Sequence, residues 1–420
     1  MTAENSKHLL EMGKQAKQAA RIIRSLSAQA KNDALEAMSH SLIDQTELIL
    51  KANQLDLENG RENGLTEALL ERLTLTKARV EGMVGGLQQM AALADPTSKT
   101  DAQWVNNDGL RISKRRVPLG VIGIIYESRP NVTVDATGLC LKAGNAVILR
   151  GGKEALNSNR AILHALREGL ARTKVPQDAV QLIEDPSREL AAEFMKMNQY
   201  VDCLIPRGGA GLIQAVLRQA TVPVIETGVG NCHLYVHETA DLDMAKAILL
   251  NGKLQRPSVC NALESLIVDA AVAGKFLPMV AADLLQGDVE IVGDAKTRAL
   301  IPAALEATDE DYATEFLDNK IAVKIVESYD AAVSHIDTYS TGHSEAIVTR
   351  DYQTSQNFLN DIDAAAVYVN ASTRFSDGEV FGFGGEIGIS TQKLHARGPM
   401  GLEALTSYKY VVEGEGQTRV

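Results

Sequence analysis

Aromatic residues are scarce: one Trp, seven Phe and ten Tyr, 4% of 420 residues. A core must therefore be assembled from Ala, Val, Leu and Ile, which suits helices packed on a buried sheet. Cysteine is scarce too. Cys140, Cys203, Cys232 and Cys260 include no Cys-x-x-Cys pair. A chain of this length needs no disulfide staples, so these read as reduced cytosolic thiols. Long apolar runs are missing. VPLGVIGIIY, residues 117–126, is about half of what a membrane helix needs. The N-terminal segment is charged and has no continuous apolar stretch, so no secretory signal is expected. Basic charge is in deficit, with 42 Lys and Arg against 54 Asp and Glu for a net −12. A nucleic-acid binder usually carries a basic footprint, and the chain as a whole does not. These absences point to a soluble cytoplasmic protein that uses neither nucleic acid nor membrane.

What is present is ordinary globular material, 45% apolar and 23% charged. Global disorder and coiled coil are excluded, and the length suggests about two or three domains. Residues 6–93 carry helical spacing, as in Leu35, Met38, Leu42 and Ile43. Residues 95–109 are polar and read as a loop. Residues 110–126 read as strands, and the basic run RISKRR as an exposed edge strand guarded by charge. From 121 to 236 strand and helix alternate. The strand candidates are VIGIIY, NAVILR, AVQLIED, VDCLIP, VPVIET and CHLYVH, with amphipathic segments between them. Near-continuous apolar strands of this kind imply an α/β fold, a parallel sheet covered on both faces. Ligands then belong at the carboxyl ends of the strands. A second alternation runs from about 240 to 372, with LESLIV, VEIVG, AVKIV, AIVTR and AAVYVN as strands.

Cys140 and Cys203 lie in apolar segments and read as core thiols. Cys232 precedes His233, but adjacent strand residues face opposite ways. No further Cys/His cluster supports a metal, so none is expected. Cys260 follows a Pro-Ser turn and precedes a strand-like run. Backbone NH groups at such a junction can stabilise a thiolate and make a nucleophile; the alternative is a partly buried loop thiol. After VDCLIP comes RGGAG and then a helix, an anion site built from NH groups and the helix dipole, with Arg207 beside it. The spacing is not G-x-G-x-x-G, and a packing turn would look similar. Arg150 and Lys153 flank two glycines after NAVILR, either as ribose or phosphate contacts or as a solvated turn. HIDTYSTGHSEAIV, residues 335–348, crowds hydroxyls and imidazoles as oxyanion recognition or a capped turn would. Arg397 in HARGPMG offers a planar fork to a carboxylate or phosphate.

Together YESRPNVT, LRGGKEA, IPRGGAGLI, ETGVGNCH, QRPSVCNALE, VSHIDTYSTGHSEAI, GFGGEIGIST and HARGPMGLEALTS resemble the aldehyde dehydrogenase superfamily over essentially the whole chain. Within it they resemble the branch that reduces an acyl phosphate. PSVC, in place of the superfamily's usual Gly-Gln-x-Cys, points away from a general aldehyde oxidiser.

The resemblance implies two Rossmann-like parallel-sheet domains and a small β-extension for oligomerisation. Residues 1–108 and 121–235 would bind NADPH, and 236–405 would carry the nucleophilic cysteine. Strands within 109–120 and 406–420 would join a homo-oligomer. The implied reaction reduces L-glutamyl 5-phosphate to L-glutamate 5-semialdehyde and phosphate through a thioester on Cys260, the second step of proline biosynthesis from glutamate. Asn131 and the Cys260 NH would hold the oxyanion. Glu226 aligns with the glutamate that activates water in oxidising members, and here would tune Cys260 or order its loop. Arg150, Gly151 and Lys153 would meet the adenosine ribose and 2′-phosphate. Pro206, Arg207, Gly208 and Gly209 would meet the pyrophosphate or adenine side, and Glu315 and Phe316 the nicotinamide ribose. Arg129, His343 and Arg397 would contact the substrate anion. A complex with glutamate 5-kinase would protect the labile acyl phosphate. Two other activities stay open: an NAD(P)-dependent oxidiser of a small aldehyde, and a cofactor-free thiol hydrolase.

Overall fold

The computed structural model describes residues 3–419. Residues 1, 2 and 420, the outer ends of the expected nucleotide and oligomerisation segments, lie outside the described residues. The chain divides into two compact units. The first comprises the chain through Thr227 together with Gly382–Gly388 and everything from Met400 onward; the second comprises Gly228–Phe381 and Ile389–Pro399.

The first unit opens with helices Ala3–Ile23, Ala28–Asp44, Thr46–Glu62, Glu67–Leu73 and Lys77–Ala92. Ser27, Thr66 and Thr76 cap three of them through their side-chain oxygens. Leu35, Met38 and Leu42 are fully buried, but Ile43 is 51% exposed. It falls beyond the edge of the apolar stripe that the other three share.

The helices accompany a four-stranded parallel sheet in the order Val180–Leu182, Ala146–Arg150, Val121–Tyr126, Cys203–Arg207. All six residues of Val121–Tyr126 are buried, as expected of an apolar run covered on both faces. Two expected strands do not belong here. VPVIET makes a single bridge, Val224 to Leu204, and Pro223 has no NH to extend a ladder. CHLYVH forms strand Cys232–Val236 in the second unit's sheet.

Residues 95–109 are not all loop. Thr100–Val105 is a strand, turned into Arg111–Pro118 by Asn106, whose Oδ1 accepts from the NH groups of Asp108 and Leu110. The basic RISKRR run lies in the middle strand of this antiparallel sheet, not at its edge. Thr406–Glu413 pairs along the whole of Arg111–Pro118 and takes the outer place.

The second unit holds a seven-stranded parallel sheet. Its order is Leu305–Glu306, Glu290–Gly293, Lys320–Val326, Leu263–Asp269, Cys232–Val236, Ser344–Val348, Ala366–Val369. Leu263–Asp269, Cys232–Val236 and Ser344–Val348 are adjacent and wholly buried. Ile389–Ser390 and Gly398–Pro399 pair as a small antiparallel ribbon. Among the described residues no helix is long and apolar enough to cross a membrane.

Candidate active site

Cys260 sits in a tight turn just before strand Leu263–Asp269, closed by Ala262 NH on the Val259 carbonyl at 3.0 Å. It is partly exposed, whereas Cys140, Cys203 and Cys232 are buried. Burial pushes all three of those thiols upward, Cys203 to about 12, so they remain protonated and inert. The Cys260 carbonyl accepts from Cys232 Sγ at 3.2 Å. Gly230 packs on the same backbone so closely that a Cβ there would lie 1.6 Å from the Cys260 oxygen. Glycine is required at 230 by this close approach.

Glu315 holds Gly230 in place, its Oε1 accepting the Gly230 NH at 2.7 Å. Burial raises the Glu315 carboxyl, and the Gly230 bond opposes that rise. Phe316 packs against Val292, Tyr312 and Ala322, with Lys320 Nζ 5.0 Å above its ring. His343 is fully buried, its Nδ1 2.9 Å from Ser344 Oγ and 3.6 Å from Cys232 Sγ. Arg397 is tied to Asp363 by Nη2 bonds of 2.9 Å to the carbonyl and 2.7 Å to Oδ1. It anchors the Ile389–Pro399 excursion to that loop.

Three contributors escaped the sequence reading. Arg374 is held below its usual range by burial and then by the charge of Arg256, while Cys260 and Asp377 pull the other way. A cation thus lies within electrostatic reach of the thiol. Asn261 and Thr373 brace the backbone after Cys260, with Thr373 Oγ1 donating to the Asn261 carbonyl at 2.8 Å. An isolated Arg, Asn or Thr in a loop carries no pattern that would single it out.

In the first unit the chain steps outward from Val121–Tyr126 through Ala146–Arg150 to Val180–Leu182, then returns to the opposite side as Cys203–Arg207. Such a reversal is where open α/β sheets take ligands, outside the carboxyl ends. There Gly209 opens helix Ala210–Gln219, and its NH donates to Glu127 Oε2 at 3.0 Å. Gly208 packs against the same carboxylate. Pro206 is buried and Arg207 half-buried at the strand end. One strand over, Arg150 Nη2 donates to the Pro186 carbonyl at 2.9 Å, and burial lowers its pKa. Gly151 is crowded by Asn159 and the Tyr126 ring, and Lys153 is exposed. A cavity of about 320 Å³ opens beside Ile183 and Leu190 beyond the end of Val180–Leu182.

Asn131 begins helix Asn131–Lys142 and donates through Nδ2 to Asp135 Oδ2 at 2.9 Å. Burial pushes the Asp135 carboxyl up to about 6, against the pull of that bond and of Arg207. Arg129, in the turn before this helix, and Glu226, in the loop 222–227, are both partly buried. Thus Glu315, His343 and Cys260 gather in the second unit, Arg150, Arg207 and Asn131 belong to the first, and Arg397 is engaged elsewhere.

Residues 1–310 match the aldehyde dehydrogenase family. The chain is 60% identical over 407 residues to a gamma-glutamyl phosphate reductase of Heliobacterium modesticaldum, covering 97% of this chain and 98% of that one. It is 56% identical over 419 residues to the gamma-glutamyl phosphate reductase of Clostridium novyi, covering 100% of both. The crystal structure of the Thermotoga maritima gamma-glutamyl phosphate reductase superposes with a TM-score of 0.96 at 49% identity, covering 98% of this chain and 100% of that one. An acetylating aldehyde dehydrogenase of Geobacillus thermoglucosidasius, 17% identical with a TM-score of 0.70 over 99% of this chain and 98% of its own, shares the fold. The chain belongs to the aldehyde dehydrogenase family and, within it, to the gamma-glutamyl phosphate reductases.

Proposed function

We propose that the chain reduces L-glutamyl 5-phosphate to L-glutamate 5-semialdehyde and phosphate with NADPH, the second step of proline biosynthesis from glutamate. The observation that carries the chemistry is Cys260, the one partly exposed thiol, held in a braced turn with a cation in reach. Its thiolate attacks the acyl carbon, the carbon–oxygen bond to phosphate breaks, and phosphate leaves with the electron pair. A thioester remains on Cys260. Hydride addition to its carbonyl carbon and scission of the carbon–sulfur bond release the aldehyde and restore the thiolate. The Cys260 NH and the Asn131 amide are the oxyanion donors in this reading; losing one such donor typically costs about 2.7–4 kcal/mol.

A bound reduced nicotinamide would supply the hydride. The switch-point residues of the first unit suit a phosphate-bearing nucleotide: the Gly209 NH at a helix start already holds an anion, the Glu127 carboxylate. Arg207, with Pro206 and Gly208, serves the pyrophosphate side, and Arg150, Gly151 and Lys153 the ribose and its 2′-phosphate. Glu315 and Phe316 face the nicotinamide ribose in this assignment. Arg129 and Arg397 are assigned to substrate, the latter after release from Asp363, and Glu226 to ordering its loop. The reading includes a cytoplasmic homo-oligomer and a complex with the kinase that supplies the acyl phosphate.

The test is NADP reduction by glutamate semialdehyde, with and without phosphate, for wild type and Cys260→Ala. Phosphate-dependent turnover that vanishes in Cys260→Ala is the expected result. Turnover without phosphate would make the protein an aldehyde oxidiser, with Glu226 as its base.

A further inference from the structure

Unlike the nucleotide half, the Cys260 turn lies at the amino ends of its parallel strands. Leu263–Asp269, Cys232–Val236 and Ser344–Val348 are successive neighbours, and all start on this side. Their first residues and the turns before them are therefore stacked side by side. There the polar side chains join a continuous chain of contacts. Cys232 Sγ lies 3.2 Å from the Cys260 carbonyl and 3.6 Å from His343 Nδ1. His343 Nδ1 lies 2.9 Å from Ser344 Oγ, which bonds Ser376 Oγ. The Ser376 carbonyl accepts from Asn261 Nδ2 at 2.9 Å, which returns the chain to the residue after Cys260. Two braces stiffen the circuit, Tyr368 OH on Ser376 Oγ at 2.8 Å and Thr373 Oγ1 on the Asn261 carbonyl at 2.8 Å. Cys232, His343, Ser344, Thr373 and Ser376 are fully buried.

We propose that this ring, Cys232–His343–Ser344–Ser376–Asn261 with Thr373, clamps the backbone from the Cys260 carbonyl to the Asn261 carbonyl and is the positioning apparatus of the nucleophile. The proposal rests on the reading of Cys260 as the attacking thiol. It gives the histidine-rich signature a role behind the thiol, with His343 turned to Cys232 and Ser344.

The chemistry of each link agrees with this. Burial keeps the Cys232 thiol protonated, so it has a hydrogen to give the Cys260 carbonyl and does not compete as a nucleophile. In the Nδ1–H tautomer His343 donates toward Cys232 Sγ and Ser344 Oγ. The serine hydroxyls can both donate and accept, so Ser344 can take the histidine hydrogen and give its own to Ser376; the circuit then closes through the Ser376 main chain, whose carbonyl accepts from Asn261 Nδ2. Each buried link restricts its two groups to one geometry, and a buried carbonyl that loses its donor is penalised. The same peptide is pressed from outside by Gly230, which Glu315 holds. Fixing that peptide fixes the Cα–Cβ direction of Cys260. Attack geometry is demanding: a misplacement of about 1 Å can lower a rate roughly 100-fold.

The experiment compares Cys232→Ala with Cys232→Ser, and Thr373→Val with Thr373→Ser. Each is assayed for kcat and KM in phosphate-dependent NADP reduction by glutamate semialdehyde. In parallel, the rate of iodoacetamide alkylation at Cys260 is followed across pH by peptide mass analysis. The Ala and Val variants should lose about tenfold in kcat with the KM values for NADP, semialdehyde and phosphate all within twofold of wild type. Their Cys260 alkylation should slow or its pH profile shift. The serine variants, which keep a donor, should recover most of both. Wild-type kcat and alkylation in the Ala and Val variants would overturn the proposal. So would a rise in KM at constant kcat, or serine variants as impaired as the others. Should Thr373→Val fail to fold, the Cys232 pair decides alone. Activity retained in Cys260→Ala overturns the nucleophile reading itself; a dead Cys260→Ala beside an unimpaired Cys232→Ala overturns only the ring.

Discussion

Asp135 carries an unfavourable charge beside a residue assigned to catalysis. Its carboxyl is raised to about 6 from the ordinary 3.8, with burial the largest cause. A raised carboxyl means that the folded chain holds a proton the unfolded chain has released. Stability therefore falls as pH climbs from about 4 to about 6, and the penalty is complete above that. Asp135→Asn keeps an oxygen for the Asn131 amide and removes the charge. At pH 7.5 it should stabilise the protein by on the order of 1–3 kcal/mol, seen as a higher unfolding midpoint. The advantage should shrink as the pH is lowered to 5. An advantage that stays constant or grows toward pH 5 would refute the buried-charge account. Local sequence offered no sign of this. A polar i, i+4 step such as Asn131–Asp135 looks like any solvated helix face; Asn131 is exposed and Asp135 half-buried, and the groups near the carboxylate, Gly86 and Arg207, come from distant segments.

Between residue and domain, a buried ion pair shapes the segment that carries Glu315 and Phe316. Lys253, on helix Leu242–Leu254, donates to Glu264 Oε2 at 2.7 Å and to the Leu263 carbonyl at 2.9 Å. Both side chains are fully buried. Burial pushes Glu264 up and Lys253 down, and their attraction opposes both shifts. The other Glu264 oxygen accepts the NH of Leu317 at 3.0 Å. Leu317 has φ 54°, a left-handed conformation uncommon for a side chain of its size. The carboxylate holds that bend directly after Phe316. Removing only the cation strands the carboxylate, and breaking a buried pair in this way typically destabilises by about 3–5 kcal/mol. Lys253→Met should lose that much in denaturant unfolding, and adding Glu264→Gln should restore a large part. A double variant no better than the single one would show that the pair is not coupled. Helix Leu242–Leu254 and strand Leu263–Asp269 were both legible, the helix by its periodic apolar face and the wholly buried strand by its short apolar run. The ion pair was not, since a lysine at the end of an amphipathic helix ordinarily reads as solvated.

At the scale of the whole molecule, alternation of strand and helix announced parallel sheet structure through both halves of the chain, while the division into two sheets was expected only from the family resemblance, and CHLYVH, read with the first alternation, lies in the second sheet. The pairing of Thr406–Glu413 with Arg111–Pro118 left no such trace. The partners lie almost 300 residues apart, and pairing at that distance has no local signal; the joining of 109–120 with the tail in one β-extension was expected only from the family resemblance. The result is a three-stranded sheet with an exposed face rich in aromatic side chains. Register places Trp104, Ile112 and Val412 in one cross-strand row, with Lys114 and Tyr410 in the next and Arg116 and Tyr408 beyond. Trp104 is 43%, Tyr408 49%, Tyr410 56% and Val412 53% exposed. In a chain with a single tryptophan, that concentration of exposed aromatic surface is the kind that association sites use, and the outer strands carry backbone edges able to pair. The proposed homo-oligomer would bury this face against a second copy. Tyr410→Glu and Trp104→Glu place a charge on it without touching the cores of the two larger sheets. Each should shift the sedimentation profile to smaller species at unchanged far-ultraviolet circular dichroism. Dissociation should deepen with dilution, because an association equilibrium depends on protomer concentration. If both variants sediment as the wild type does over a hundredfold dilution, the sheet is not the contact that joins the copies.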